Sequence, residues 1–186
     1  MARYFGLDVN DEVRLIIPEL SMATEVYDLI DSDRDHLRRY LDFVDASVDV
    51  SIQRAYFKMK MEAAAKGTDK LFLIAVKNKI VGCIDLHKIE RPSNKAEIGY
   101  WIHSSYSGKN IVTQSVKTLC DYSFDVLNLN KLSLFADVEN IASNKVALKA
   151  GFKLVGIKYQ DNIMYDEYRD MNEYYLLTSD VTRRNE

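Results

Sequence analysis

"AEIGYWIHSSYSGKNIVTQSV", residues 96–116, decides how this chain is read. Its first part sets Ile98, Tyr100 and Ile102 in alternation, the period of a half-buried strand. A short polar stretch holding one glycine, Gly108, follows. Val112, Val116, Leu119, Cys120, Phe124 and Leu127 then recur three and four apart, which predicts a helix. A strand that feeds a helix through such a loop is an ordinary connection. It is also a place where a helix N-terminus offers free N–H groups to a phosphate. The loop is not a Walker A loop, because Gly108-Lys109 is followed by Asn110 and lacks the earlier glycine, and it is not a G-x-G-x-x-G fingerprint.

Upstream, "EVRLII" (12–17) alternates Val13, Leu15 and Ile17 and ends at Pro18, a strand. Ser21 is then the expected N-cap of a helix through Met22, Val26, Leu29 and Ile30, resuming at Leu37, Tyr40, Leu41 and Val44 beyond the charged "DSDRD" (31–35). That cluster mixes acids with Arg34 and reads as a solvated face, not a metal site. A second helix is expected over Ser51 to Lys66, with Ile52, Tyr56, Met59 and Ala63 on its core face and Gly67 as its stop. "LFLIAV" and "IVGCIDL", joined by "KNK" (77–79), predict a hairpin in which Gly82 marks a bulge or a close backbone approach.

Downstream of the opening stretch, "KLSLFADV" (131–138) is a strand and "SNKVALKA" (143–150) a short helix, capped by Ser143 and stopped by Gly151. "FKLVGIKYQ" and "NEYYLLTSD" are two closing strands. Hairpins flanking crossover helices imply a mixed sheet with helices on its faces.

The bulk numbers exclude several functions. The chain has 186 residues, is 47% hydrophobic and 28% charged, and reads as one domain with a sizeable core. A net charge of -3 gives no basic stripe for nucleic acid. Cys83 and Cys120, each in an apolar pattern, supply neither a disulfide framework nor a zinc site, so a reducing, cytoplasmic setting is expected. No charged n-region opens the chain and no run of about 18 apolar residues occurs, so neither secretion nor membrane insertion is indicated.

The opening stretch, together with "YSFDVLNLNKLSLFADVENIASNKVALKAGFKLVG", resembles the GNAT superfamily of acetyl-CoA-dependent N-acetyltransferases. It is most similar to the branch that acetylates ribosomal-protein N-termini, and to relatives such as spermidine and antibiotic acetyltransferases. "EIGYWI", the N-x-x-S of Asn140 to Ser143 and the K-x-G-F of Lys149 to Phe152 carry the resemblance, which spans the chain from "VRLIIPEL" to "EYYLL". It implies the α/β GNAT fold, a mixed and mostly antiparallel sheet splayed at its centre with helices on both faces. It also implies acetyl-CoA as donor, held between "EIGYWIH" and "KLSLFADV".

By this resemblance Ile102 and His103 meet pantetheine. The N–H groups of Ser107, Gly108, Lys109, Asn110, Ile111, Val112 and Thr113 hold the pyrophosphate, and Asn140 and Ser143 lie beside the arm and the thiol. The family loop is Q/R-x-x-G-x-G/A, and Ser107, Asn110 and Val112 all depart from it. Asn tolerates left-handed backbone, so Asn110 can stand in for a glycine, whereas Val112 must be helical. Lys109 is either a point charge on phosphate or a solvated loop lysine.

Amide formation needs a neutral amine, yet an α-amine of pKa about 8 is largely protonated at neutral pH. Glu97 is the candidate general base, a carboxylate in an apolar strand where loss of water favours the neutral acid. The plainer reading is a Glu97 that pairs with a neighbouring basic residue. The position of the thiolate-protonating tyrosine of many family members is Ala147 here, and Ser143 takes that role in the favoured branch, against a plain role as helix cap.

His87 and His103 are lesser candidates for proton transfer. Cys120 reads as core, and Tyr100, Trp101 and Tyr106 either line the groove or pack. The expected acceptor is a protein N-terminal α-amine, with a polyamine or aminoglycoside-like amine as alternative; Asp28, Asp31, Asp33 and Asp35 would draw a cationic acceptor. A non-catalytic acyl-CoA-binding regulator is the rival reading. No metal is expected, and a homodimer is a family-level expectation only.

Overall fold

The computed structural model describes residues 4–182. Eight strands form one sheet in the order β1-β2-β3-β4-β5-β6-β8-β7. They are β1 (Gly6–Asp8), β2 (Val13–Ile16), β3 (Lys70–Val76), β4 (Lys79–Glu90), β5 (Lys95–Ile102), β6 (Lys131–Asp137), β7 (Lys153–Met164) and β8 (Glu167–Leu177). Every neighbouring pair is antiparallel except β5 and β6. That parallel ladder joins Lys95–Ile98 to Lys131–Leu134 and stops there, so the ends of the two strands part. The expected splayed sheet is present, and its gap is the feature that positions the site.

Helices cover both faces. On one, α1 (Ala23–Asp31), α2 (Arg34–Leu37) and α3 (Val50–Lys66) bury Val26, Ile30 and Phe57 against Leu71, Leu73 and Cys83. On the other, α4 (Ile111–Asp121) and α5 (Ile141–Ala150) bury Val116, Leu119 and Ala147 against Ile98, Leu132 and Leu134. A short α6 (Thr178–Thr182) follows β8. Each fully buried Leu or Ile contributes on the order of 1.5–3 kcal/mol, so these two layers carry the fold.

Several expectations shift in detail. Ser21 does not cap α1; it sits in a 3-10 turn (Leu20–Met22), and α1 begins behind Met22 without a side-chain cap. The face that α3 buries is Gln53, Phe57 and Lys60, while Ile52 and Met59 are 43% and 53% exposed. Periodicity alone could not separate these faces, because the one that wins is anchored by Phe57 but carries two polar residues. Asp49 caps α3 by accepting from the Ser51 N–H, and Gly67, at φ 76, ends it.

The helix expected to reach Leu127 widens into a π turn over Tyr122–Val126. There the buried Ser123 hydroxyl donates to the Leu119 carbonyl at 2.6 Å, competing with the regular helical ladder. β1 has no counterpart in the sequence reading, and β7 and β8 run further than expected, since a short or irregular edge strand carries little alternation. The hairpin turns at Lys77 and Asn78, both with positive φ. Gly82 lies opposite a register shift between β3 and β4, and a Cβ there would stand 2.3 Å from the Trp101 carbonyl oxygen. Both halves of the glycine expectation hold.

Candidate active site at the parted strands

Where β5 and β6 part, a cavity of about 1100 Å³ opens. One wall is the β5 edge from Ile98 to Ile102, the opposite one the end of β6 and the start of α5 with Asn140 and Ser143, and the floor is the loop into α4. Ile102, Ser107, Gly108, Lys109, Asn110, Ile111, Val112, Thr113, Asn140 and Ser143, all expected at the cofactor, line it together. Glu97 and His103 do not.

The loop is shaped by two left-handed residues, Gly108 at φ 75 and Asn110 at φ 62. Asn110 occupies the N-cap position of α4 without a side-chain cap bond, so its backbone conformation, not its amide group, is what the loop uses. Its carbonyl accepts the Gln114 N–H at 3.1 Å, leaving the amides of Ile111, Val112 and Thr113 without partners inside the helix. Val112 is helical, as a β-branched residue there must be. The result is a concave row of donors at a positive dipole end, suited to a pyrophosphate.

Lys109 holds its Nζ 5.1 Å from the centre of the Tyr106 ring, on the cavity wall. Lys117, Lys145 and Lys149 also line the cavity. The sequence reading missed these three, although Lys145 and Lys149, four apart on a short helix ahead of "GF", share one face and could have been found by spacing. Point charges around a cavity of this size suit a ligand with several phosphates.

Ser143 is corrected in one respect. The cap of α5 is Asn140, whose side-chain oxygen accepts the Ser143 N–H at 3.0 Å, so α5 starts two residues earlier than expected. The Ser143 hydroxyl is thereby released from capping and lies 2.8 Å from the Tyr100 hydroxyl, across the gap between α5 and β5. Burial pushes the Tyr100 phenol up to about 12 against the opposing hydrogen bond from Ser143, so it stays protonated at neutral pH.

Asn144 fixes this corner. Its Nδ2 donates to the Asp137 and Asn140 carbonyls, both at 2.8 Å, while its Oδ1 accepts from Asn172 and Tyr174, both at 2.7 Å. All four side-chain hydrogen-bonding positions of the amide are used, which locks the start of α5 onto β6 and β8.

On the other face of the sheet, Glu97 joins a row of charges. Its Oε2 lies 2.9 Å from Lys88 Nζ and 3.3 Å from His87 Nε2. His87 Nδ1 lies 3.2 Å from Asp85, and Asp85 and Asp69 share Lys60 at 2.8 and 2.5 Å. Gly99 makes room for the row, because a Cβ there would stand 2.8 Å from Asp85 Oδ1. Burial disfavours charge on His87, but the hydrogen bond and charge of Asp85, with Glu97 behind, outweigh it and raise its pKa. Burial likewise opposes the Asp85 carboxylate, and His87 and Lys60 outweigh it and hold its pKa below the usual carboxylate range.

His103 is engaged in packing the chain. Its Nδ1 accepts the Ser105 N–H at 3.1 Å, and its own N–H pairs with the Val81 carbonyl. Of the acidic cluster, Asp31 pairs with Arg34 at 2.7 Å, and Asp33 accepts from the Ser104 N–H and hydroxyl at 2.6 and 2.7 Å. Asp33 thus ties the α1–α2 junction to the chain after β5, and Asp31 pairs locally across that junction, instead of facing an acceptor. Cys120 is core, as expected. Among the described residues no group of His, Cys, Asp and Glu could hold a metal ion.

Known proteins agree with this geometry. The profile of the acetyltransferase (GNAT) domain matches residues 14–153. The ribosomal-protein-serine acetyltransferase of Escherichia coli (strain K12) is 30% identical over 171 residues, covering 90% of this chain and 94% of that protein. The spermidine N(1)-acetyltransferase of the same organism is 28% identical, covering 74% and 78%. Among solved structures, the microcin self-immunity acetyltransferase MccE in complex with acetyl-CoA and AMP superposes with a TM-score of 0.90 at 27% identity, over 92% of this chain and 96% of that one. The structure of an acetyltransferase from Salmonella typhimurium that modifies the N-terminal serine of a 50S ribosomal subunit protein gives 0.84 at 25%, over 92% and 98%. The parted strands, the donor-lined loop and these likenesses lead to one conclusion: the chain belongs to the GNAT family of acetyl-CoA-dependent N-acetyltransferases.

Proposed function

We propose that this enzyme acetylates the α-amine of a protein or peptide N-terminus, of the ribosomal-protein type, with Ser143 and Glu97 as its catalytic groups. Acetyl-CoA supplies the thioester that the amine attacks. The loop from Ser107 to Thr113 receives its phosphates, with Lys109 as an added charge, and the β5 edge at Ile102 borders its pantetheine arm. Ser143, held by Asn140 and Tyr100, donates a hydrogen bond to the departing thiolate. The ammonium proton of the acceptor leaves through water to Glu97, which His87 links to Asp85. The observation that carries the reading is the Ser143 hydroxyl, freed from capping and paired with Tyr100 beside the open gap.

The acceptor type rests on the ribosomal-protein-serine relative, which is matched over nearly its whole length. The spermidine relative keeps a polyamine as the second reading. A homodimer belongs to the same proposal. Its support is the sheet-edge strand β7, where Leu154, Val155, Ile157 and Tyr159 are 47–76% exposed, and sedimentation velocity measures it. Cys83 and Cys120 are buried free thiols, which suits a reducing cytoplasm.

Thiol release from acetyl-CoA, measured with N-terminal peptides and a polyamine panel, tests the assignment. Ser143→Ala is expected to lower kcat by roughly ten- to a hundredfold, and Glu97→Gln to lower it most below pH 8, where the acceptor is protonated. Turnover by both variants within about twofold of the wild type refutes the two roles.

A further inference from the structure

A second cavity, of about 300 Å³, lies on the α1–α3 face of the sheet and shares Gly99, Tyr100 and Trp101 with the first. It therefore adjoins the gap that the reading above gives to acetyl-CoA. Most of its wall is apolar or aromatic, with Phe43, Tyr56 and Trp101 prominent. Its volume is about twice the ~150 Å³ cavity that accommodates a benzene ring, so it has room for a ring or a branched side chain.

Its polar groups fall into two sets, partnered and unpartnered. The Asp85 carboxylate is balanced by Lys60 at 2.8 Å and His87 at 3.2 Å, and the Ser47 hydroxyl donates to the Phe43 carbonyl at 3.1 Å. The Gln53 amide, the Tyr56 hydroxyl and the Trp101 indole N–H line the cavity and form no hydrogen bond with any described residue; Gln53, 6% exposed, is the most deeply buried of the three. Neither of its polar atoms is among the buried, unpartnered side-chain atoms, so the amide opens onto the cavity and is free to bond an atom that enters it.

We propose that this cavity holds the body of the acceptor next to its amine, and that Gln53 is the specificity-determining residue. The acceptor group it selects is compact and neutral, apolar over most of its surface, with one hydrogen-bonding atom for the Gln53 amide. For a peptide acceptor this group is the first side chain. A polycation is disfavoured, because the wall offers no unbalanced carboxylate. The proposal rests on the transferase reading above.

The test is kcat/KM of the full chain for peptides that differ only in their first residue, in the pairs Tyr and Phe, Gln and Leu, Thr and Val, together with a Lys-first peptide and spermidine. In the wild type at least one hydrogen-bonding member is expected to exceed its apolar counterpart by roughly tenfold, and to exceed the Lys-first peptide and spermidine. Gln53→Leu brings that ratio to within about twofold while acetyl-CoA affinity, read by calorimetry, is kept. Gln53→Glu moves preference toward the Lys-first peptide and checks the assignment independently should the leucine variant fail to fold. Preference of the wild type for spermidine or the Lys-first peptide overturns the proposal alone, as do pairs that no wild-type ratio separates, or ratios unchanged in both variants. Absence of turnover with every acceptor overturns the transferase reading and this proposal with it.

Discussion

Asn110 gives the sharpest test of the cofactor loop. It stands at φ 62 and ψ 7 and makes no side-chain cap bond, so the site uses it for its tolerance of left-handed backbone. An ordinary L-residue pays roughly 1–2 kcal/mol in that region, and Asn pays less. Asn110→Ala is therefore expected to cost about 1 kcal/mol. Where the free loop relaxes to avoid the strain, the cost appears on binding, as an approximately fivefold weaker Kd for acetyl-CoA. Where the loop keeps its shape, the cost appears as lowered thermal stability of the free protein. Asn110→Gly, which relieves the strain, should bind within about twofold of the wild type or more tightly. Isothermal calorimetry with acetyl-CoA, paired with thermal unfolding, reads both terms. A glycine variant that binds as weakly as the alanine variant would show that the amide side chain itself is needed, and the backbone argument would be refuted.

Two further predictions concern the charged row behind Gly99. Lys60 is 8% exposed and bridges Asp69 and Asp85, so Lys60→Met leaves two carboxylates facing each other across little water and should cost about 3 kcal/mol in urea unfolding. Adding Asp85→Asn should restore part of that; a loss under about 1 kcal/mol for the single variant would mean the bridge contributes little. For pH, His87 has a pKa raised above its usual 6.5, so the stability it brings is present below that value and is lost as pH rises through the raised pKa. Asp85, lowered from 3.8, contributes above that value and loses its contribution as pH falls through its depressed pKa. The pair thus supports the fold most between about pH 4 and 6.5. His87→Gln should flatten the decline of the thermal midpoint from pH 6 to 9, and an unaltered decline in that variant would refute the linkage.

Much of the architecture was legible because it rests on local pattern. Alternation in "KAEIGYWI" and "KLSLFADV", glycine stops at Gly67 and Gly151, and the polar hairpin turn each follow from a period or a backbone constraint that a short window contains. Local chemistry was less decisive where two residues compete for one role. Ser and Asn both suit a helix cap; the spacing pointed to Ser143, and only the backbone path into α5 shows that Asn140 takes the cap and frees Ser143. The face of α3 was misjudged for a related reason: Met59 and Ile52 are more apolar than Lys60 and Gln53, but Lys60 is held inside by two carboxylates from β4 and the loop before β3. A one-residue rotation of a helix is settled by its partners, which lie far away in sequence.

The sequence by itself determined the order of elements from β2 to β8, the donor-rich loop at the start of α4 and the family, since these depend on residues near one another along the chain. The tertiary structure alone decided where β5 and β6 part, which opens the large cavity, because a ladder ends only where two distant segments stop pairing. It also decided that Glu97 stands among Lys88, His87 and Asp85, that Asp33 is consumed in tying the α1–α2 junction to the chain after β5, and that Gln53 turns inward to a second cavity. For Glu97 and Asp33 the partner lies on another element, far away in sequence, and no local period of the sequence encodes such a partner.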